Sequence, residues 1–234
     1  MPAHIGIVGC SAEGAALCYR TICHESAARL GPHAHPEISM HTPSLAEYVT
    51  CLDRGDLHGV AALMLRSAEK LAASGAEFLI CPDNTIHAAL PLIEARSPLP
   101  WLHIAAVVAD EAERRGFRRL ALTGTRWLVD SDVYPDELAP RGLACVRPSP
   151  AERDEIARII MDELTTGILE PQSAAVFGRI IGRLKDQEGC DGVILGCTEI
   201  PLLVHDGNSP LPTLDSTRLL ARAALRRSIE GAGG

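Results

Sequence analysis

A chain of 234 residues, 47% hydrophobic and 22% charged, has ordinary globular composition and is long enough to bury a core without staples. A formal charge of −8 argues against a nucleic-acid partner, and 3% aromatic content leaves few platforms for stacking bases or sugars. No apolar run approaches a membrane span, and Met1–Gly9 reads as the approach to a strand rather than a secretory leader, so the eight cysteines are expected as reduced thiols of a cytoplasmic protein.

Short apolar runs alternate with helical patterns along the chain, the mark of an α/β protein with parallel sheets. The first strand is predicted over His4–Val8. A helix from Leu57 to Ser74 stops at Gly75 and leads to a strand over Glu77–Cys81, with further strands at Trp101–Ile104 and Arg119–Thr123. Ser149, Pro150 and Glu152 form a capping-box start, and Ile156, Ile159, Ile160 and Leu164 make one apolar stripe that Gly167 ends. Pro171 opens the next helix, with Val176, Phe177, Ile180, Ile181 and Leu184 facing inward and Gly189 as terminator. Strands over Gly192–Leu195 and Leu211–Leu214 follow. The last helix, Asp215–Ile229, has an acidic start and carries Arg222, Arg226 and Arg227 toward its end, as the helix dipole prefers. The tail Gly231–Gly234 is expected to fray.

A faint internal repeat is the most informative feature. Gly75-Ala-Glu-Phe-Leu-Ile-Cys-Pro-Asp-Asn-Thr85 aligns with Gly189-Cys-Asp-Gly-Val-Ile-Leu-Gly-Cys-Thr-Glu199 at an offset of 114 residues, and Ile5-Gly-Ile-Val-Gly-Cys10 aligns with Leu120-Ala-Leu-Thr-Gly-Thr125 at 115. Similar αβ units can look alike by chance, because glycine commonly ends helices; two pairs sharing nearly one offset favour duplication. The alignment sets Asp83 opposite Cys197, Asn84 opposite Thr198, and Cys10 opposite Thr125.

Ligands of open parallel sheets bind beyond the carboxyl ends of the strands, where the loops Cys81–Thr85 and Gly196–Glu199 are expected. If two lobes pack about a pseudo-twofold, Asp83 and Cys197 flank a cleft from opposite sides, which suits moving a proton from one face of a carbon to the other. Backbone amides after Gly9 and Gly124 can bind carboxylate oxygens. Cys10 lies in the first of these turns, and the hydroxyls of Ser11, Thr85, Thr125 and Thr198 with the Asn84 amide add hydrogen bonds for a small dicarboxylate. Each hydroxyl taken alone reads equally well as a helix cap. Lys70 and Lys185, the only lysines, lie in polar helical stretches unlike a pyridoxal-phosphate site, and no CxxC or HxxxH spacing marks a metal site. The site is therefore expected to need neither cofactor nor metal.

At these motifs the sequence resembles a known family. Cys81-Pro-Asp-Asn-Thr-Ile-His87 and Gly196-Cys-Thr-Glu-Ile-Pro201 look like the paired motifs of the aspartate/glutamate racemase superfamily, aspartate-racemase branch. The likeness also takes in Ile5–Gly14, Pro100-Trp-Leu-His-Ile104, Leu122-Thr-Gly-Thr125 and Asp215-Ser-Thr217, and so covers nearly the whole chain. It implies two similar lobes, each with a parallel four-stranded sheet flanked by helices, and an active site between them. Residues 1–98 plus 215–234 would form the first lobe and 99–214 the second. It further implies a cofactor-independent racemase working on an acidic amino acid, commonly as a homodimer, with Cys197 as one acid/base and Glu199 orienting substrate or base; a helix-start carboxylate is the other reading of Glu199.

One departure is chemical. The family usually reads Pro-Cys-Asn-Thr where this chain has Pro82-Asp83-Asn84-Thr85, so Asp83 replaces the first-lobe cysteine. Cys81 lies about 6–7 Å back along an extended strand and is read as a buried strand cysteine rather than a displaced base. A carboxylate near pKa ~3.9 and a thiol near ~8.5 are poorly matched. Burial beside a substrate carboxylate would raise Asp83, and a helix N-terminus would lower Cys197. His87 follows the first loop and can pack against it, although packing within a helical turn is the commoner fate of such a histidine; His103 is expected to end a strand near the second lobe, and His33 and His35 to lie exposed. Many relatives place an arginine in the wall His41–Leu57, where Arg54 is the only one on offer. The alternatives are decarboxylation or cis–trans isomerisation of a dicarboxylate on the same fold, or a binding protein without catalysis.

Overall fold

The computed structural model describes residues 1–231, and the expected fraying beyond Gly231 lies outside them. The chain divides into two compact units, Met1–Ile104 with the segment that begins at Thr217, and Ala105–Ser216.

In the first unit β1 (Ile5–Val8), β2 (Ile38–His41), β3 (Phe78–Ile80) and β4 (Trp101–Leu102) form one parallel sheet in the order β2-β1-β3-β4. The helices α1 (Ala12–Leu30), α2 (Leu45–Asp53) and α3 (Leu57–Ala73) connect them, and a 3-10 segment over Thr85–Leu92 follows β3. In the second unit β5 (Arg119–Thr123), β6 (Ala144–Val146), β7 (Gly192–Leu195) and β8 (Thr213–Asp215) repeat that order as β6-β5-β7-β8, again all parallel. Its helices are α4 (Ile104–Arg114), α5 (Arg126–Val129), α6 (Val133–Leu138), α7 (Pro150–Arg158) and α8 (Pro171–Glu188), with a short 3-10 turn over Ile200–Leu202 after β7. The duplication read from two short alignments is thus a duplication of sheet topology.

The central strands are apolar on both faces because helices cover both; β1, β3 and β7 are buried throughout. The expected stripes meet them. Ile156, Ile160, Phe177, Ile180 and Leu184 pack with Val193 and Leu195 in the second unit, while Val60, Met64 and Leu71 pack with Val8 and Leu79 in the first. Each such side chain contributes about 1.5–3 kcal/mol by leaving water. Glycine ends α8 as read, Gly189 adopting φ 69°. The α7 start is also as read: the Ser149 N–H donates to Glu152 Oε2 at 2.8 Å, and Arg183 clamps the same carboxylate at 2.6 Å.

Several boundaries differ from expectation. The Ile156–Leu164 stripe is not one continuous helix: α7 stops at Arg158, and a π-helical turn over Ile159–Glu163 carries the stripe on. Two edge strands, β2 and β6, have no counterpart among the predicted strands; each pairs on one side only and is half-buried, so neither shows a clean apolar run. The eighth strand is Thr213–Asp215 rather than Leu211–Leu214. The last helix, α9 (Ser216–Glu230), packs within the first unit: Arg222 pairs with Glu25 at 2.8 Å, and Arg227 lies 4.8 Å over the Phe78 ring. No helix among the described residues is long and apolar enough to cross a membrane, and all eight cysteines are thiols.

Candidate functional site

Parallel topology sends both polar loops to the carboxyl ends of their sheets, one in each unit. In the first unit the chain leaves β3 through Cys81 and Pro82 and turns at Asp83. The half-buried Asp83 uses its carboxylate locally, Oδ1 accepting from the Ile86 N–H at 3.1 Å and so starting the 3-10 segment. Asn84 and Thr85 follow, both buried.

His87 ties this loop to the start of α4. Its Nδ1–H donates to the Asp83 carbonyl at 2.7 Å, and its Nε2 accepts from the Ile104 N–H at 3.4 Å, a pair of bonds that only the neutral Nδ1–H tautomer makes. The ring stacks edge-on to His103 with centroids 4.6 Å apart. Burial chiefly, and then the neighbouring His103, push the His87 pKa down to about 3. His87 is a neutral buckle.

Cys81 is wholly buried, and desolvation, reinforced by the Asp83 charge, pushes its thiol well above the ordinary range. It holds its proton, which fits a buried strand cysteine rather than a displaced base. The turn after β1 places Cys10, almost fully buried, beside the same sheet end, and Ser11 Oγ caps α1 by accepting from the Gly14 N–H at 3.2 Å. Tyr48 of α2 joins the cluster that holds Cys10 and Cys81.

In the second unit the loop after β7 is built around a side chain. Cys197 is only 7% exposed and Glu199 4%. The Cys197 thiol donates to Glu199 Oε2 at 3.0 Å, and the Thr198 hydroxyl donates to the same oxygen at 2.7 Å. Glu199 therefore does not cap the 3-10 turn that it precedes; its carboxylate turns back onto the thiol. The expected helix N-terminus at Cys197 is absent, since only the three-residue turn Ile200–Leu202 follows and so short a segment has no appreciable dipole. Gly196 is demanded by crowding: a Cβ there would meet the Thr123 carbonyl oxygen at 2.7 Å and Leu128 at 2.6 Å. The Gly196 N–H also donates to that carbonyl at 2.8 Å. These contacts set the Cys197 loop against the turn of Gly124 and Thr125, where Thr125 Oγ1 caps α5 by accepting from the Leu128 N–H at 3.3 Å.

The structure thus gathers Cys10, Ser11, Asp83, Asn84 and Thr85 at one sheet end, and Thr125, Cys197, Thr198 and Glu199 at the other. Arg54 is not among them. It is the exposed C-cap residue of α2, its backbone bonded to the Cys51 carbonyl. His33 and His35 are exposed, as read. The sequence did not single out Tyr48; the available signal was its rarity, as one of three tyrosines, on the first helix after β2. Among the described residues no three His, Cys, Asp or Glu side chains are arranged to hold a metal ion.

Comparison with known proteins agrees with the fold. The Asp/Glu/hydantoin racemase family model matches residues 5–224. A solved Asp/Glu racemase candidate from Yersinia pestis is 31% identical and superposes with a TM-score of 0.88, covering 97% of this chain and 99% of that one. An aspartate racemase homologue from Pyrococcus horikoshii OT3 is 28% identical with a TM-score of 0.85, covering 98% and 100%. The broad specificity amino-acid racemase RacX of Bacillus subtilis (strain 168) is 22% identical over 164 residues, 69% of each chain.

Proposed function

The chain belongs to the Asp/Glu/hydantoin racemase family, and from that premise we propose that it racemises or epimerises a small acidic amino acid without a cofactor. Cys197 serves one face of the α-carbon and Asp83 the other. The observation that carries this reading is the buried Cys197–Glu199 bond of 3.0 Å: a thiol whose proton is already shared with a carboxylate reaches the thiolate by a short transfer.

In one direction the Cys197 thiolate takes the α-proton while protonated Asp83 delivers its own from behind, leaving a thiol and a carboxylate. The opposite enantiomer runs the sequence in reverse. Because a carboxylic acid and a thiol differ by roughly 4–5 pKa units when unperturbed, the two directions differ in efficiency, although the substrate alone fixes the equilibrium. The N-terminus of α1, with Cys10 and Ser11, supplies amides for the substrate carboxylate. The protein is expected to act in the cytoplasm, as a homodimer.

The test is deuterium incorporation at Cα from heavy water, starting from each enantiomer. Cys197→Ser is expected to lose at least 100-fold in exchange, the usual scale of general acid–base catalysis. Full exchange from both enantiomers in that variant would refute the assignment. Turnover of malonate- or maleate-type compounds by the wild type would instead select decarboxylation or cis–trans isomerisation.

A further inference from the structure

One polar group of the first unit is left unmet. Tyr48 is wholly buried among Val8, Cys10, Cys81 and Ile86, and its hydroxyl makes no hydrogen bond. A buried phenol ordinarily finds a partner, and an orphaned one costs roughly 1–3 kcal/mol. Ser67 lies close enough to act on the phenol, yet the two form no bond of acceptable geometry. The Ser67 hydroxyl is engaged elsewhere, donating to the Leu63 carbonyl at 3.1 Å and accepting from His41 Nδ1 at 2.9 Å. The other groups that act on Tyr48 are those of the candidate site: Cys81, Cys10 and Asp83. Burial first, then these three, raise the phenol far above its ordinary range, so it is a donor and not a base.

We propose that the Tyr48 hydroxyl reads an oxygen acceptor on the substrate's side chain, selecting amino acids that carry a carboxylate, amide or hydroxyl there. The proposal rests on the racemase reading and names the substrate class within it. α2 begins just beyond the carboxyl end of β2, the end of the sheet where the Cys10 and Asp83 loops also lie. The Thr42 side chain packs on Gly9 at this end, where a Cβ on Gly9 would meet Thr42 Oγ1 at 2.6 Å. Arg54, the guanidinium that the sequence offered for a distal carboxylate, is exposed on the C-cap of the same helix. The hydroxyl has no protein partner, so an arriving acceptor meets a donor with no protein hydrogen bond to give up. An apolar side chain leaves that donor orphaned, which is how a site built around a hydroxyl discriminates.

Calorimetric titration of the full chain with aspartate, asparagine and 2-aminobutyrate, whose side chain is the same length without oxygen, tests this. The wild type is expected to bind the first two about 10- to 100-fold more tightly than the third, the range for a hydrogen bond to a polar or charged acceptor. Tyr48→Phe is expected to bring the ratio close to one, leaving 2-aminobutyrate affinity unchanged and raising Tm, since the orphaned hydroxyl is gone. A ratio that survives Tyr48→Phe, or a wild type with no preference or no binding, overturns the proposal. So does a Tyr48→Phe melting loss that matches Ser67→Ala and does not add to it, since the hydroxyl would then belong to Ser67. Deuterium exchange in the same samples keeps the two ideas apart. Binding with the expected ratio but no exchange would end the racemase reading and leave Tyr48's role standing.

Discussion

In the loop after β3 it is the backbone that is held: His87 takes the Asp83 carbonyl, and the Asp83 carboxylate takes the Ile86 amide. In the loop after β7 it is a side chain that is held, Cys197 by Glu199. Both loops leave the third strand of a four-stranded parallel sheet with one strand order, so duplicated scaffold and diverged chemistry coexist. A sheet determines where a loop emerges; which atom it immobilises is decided by two or three residues beyond the strand. The second loop is organised around a thiol held by a carboxylate, the first around the path of the main chain.

The largest expected effect breaks this comparison on the Glu199 side. Glu199→Gln keeps a carbonyl oxygen that can accept from Cys197 but removes the charge that can hold its proton. Exchange kcat is expected to fall roughly 100-fold, toward the low end of general acid–base effects, with KM and Tm little changed. Glu199→Asp should recover part of the loss. An unchanged kcat in Glu199→Gln would show that the carboxylate holds geometry alone.

The first loop should respond to pH through stability. The folded pKa of His87 lies near 3 against 6.5 for an ordinary histidine, so between these values the unfolded chain binds a proton that the folded chain refuses. Stability therefore falls as pH drops below about 6.5, by on the order of 2 kcal/mol at pH 5, at 1.36 kcal/mol per unit of difference. Denaturant titrations at pH 7 and pH 5 check this. His87→Asn is expected to be less stable at pH 7, with the Asp83 carbonyl and Ile104 amide poorly served, but to lose less between the two pH values. An equal loss in both proteins would show that other groups carry the acid sensitivity.

How much of this was legible in the sequence follows from where each residue sits. β1, β3, β5 and β7 are central in their sheets and read as apolar runs because both faces are covered; β2 and β6 are half-buried edges whose Ile38-Ser-Met-His41 and Ala144-Cys-Val146 carry no such pattern. Cys197, Thr198 and Glu199 could be singled out because their spacing is chemical. That Glu199 turns back onto the thiol is a rotamer, and no spacing encodes a rotamer. Tyr48 and the buckle at His87 stayed hidden for a related reason. Their roles depend on which buried polar atoms are already satisfied, and that is a property of packing.

The smallest effect sharpens the comparison at the first turn of each unit. Ser11 and Thr125 were read both as substrate ligands and as helix caps, and both do cap, accepting at 3.2 Å and 3.3 Å. The helices behind them differ: α1 has 19 residues and α5 only four. Losing a cap costs about 1 kcal/mol where a long helix depends on it, so Ser11→Ala should lower stability by about that much and Thr125→Ala by less. If capping is the whole role, ligand affinity is unchanged in both. If the hydroxyl also touches substrate, affinity falls without regard to helix length, and Thr125→Ala then gives the clearer reading because its stability background is smaller. Equal stability losses in the two variants would mean that cap strength does not scale with the helix it starts, and the two turns would be structural equivalents after all.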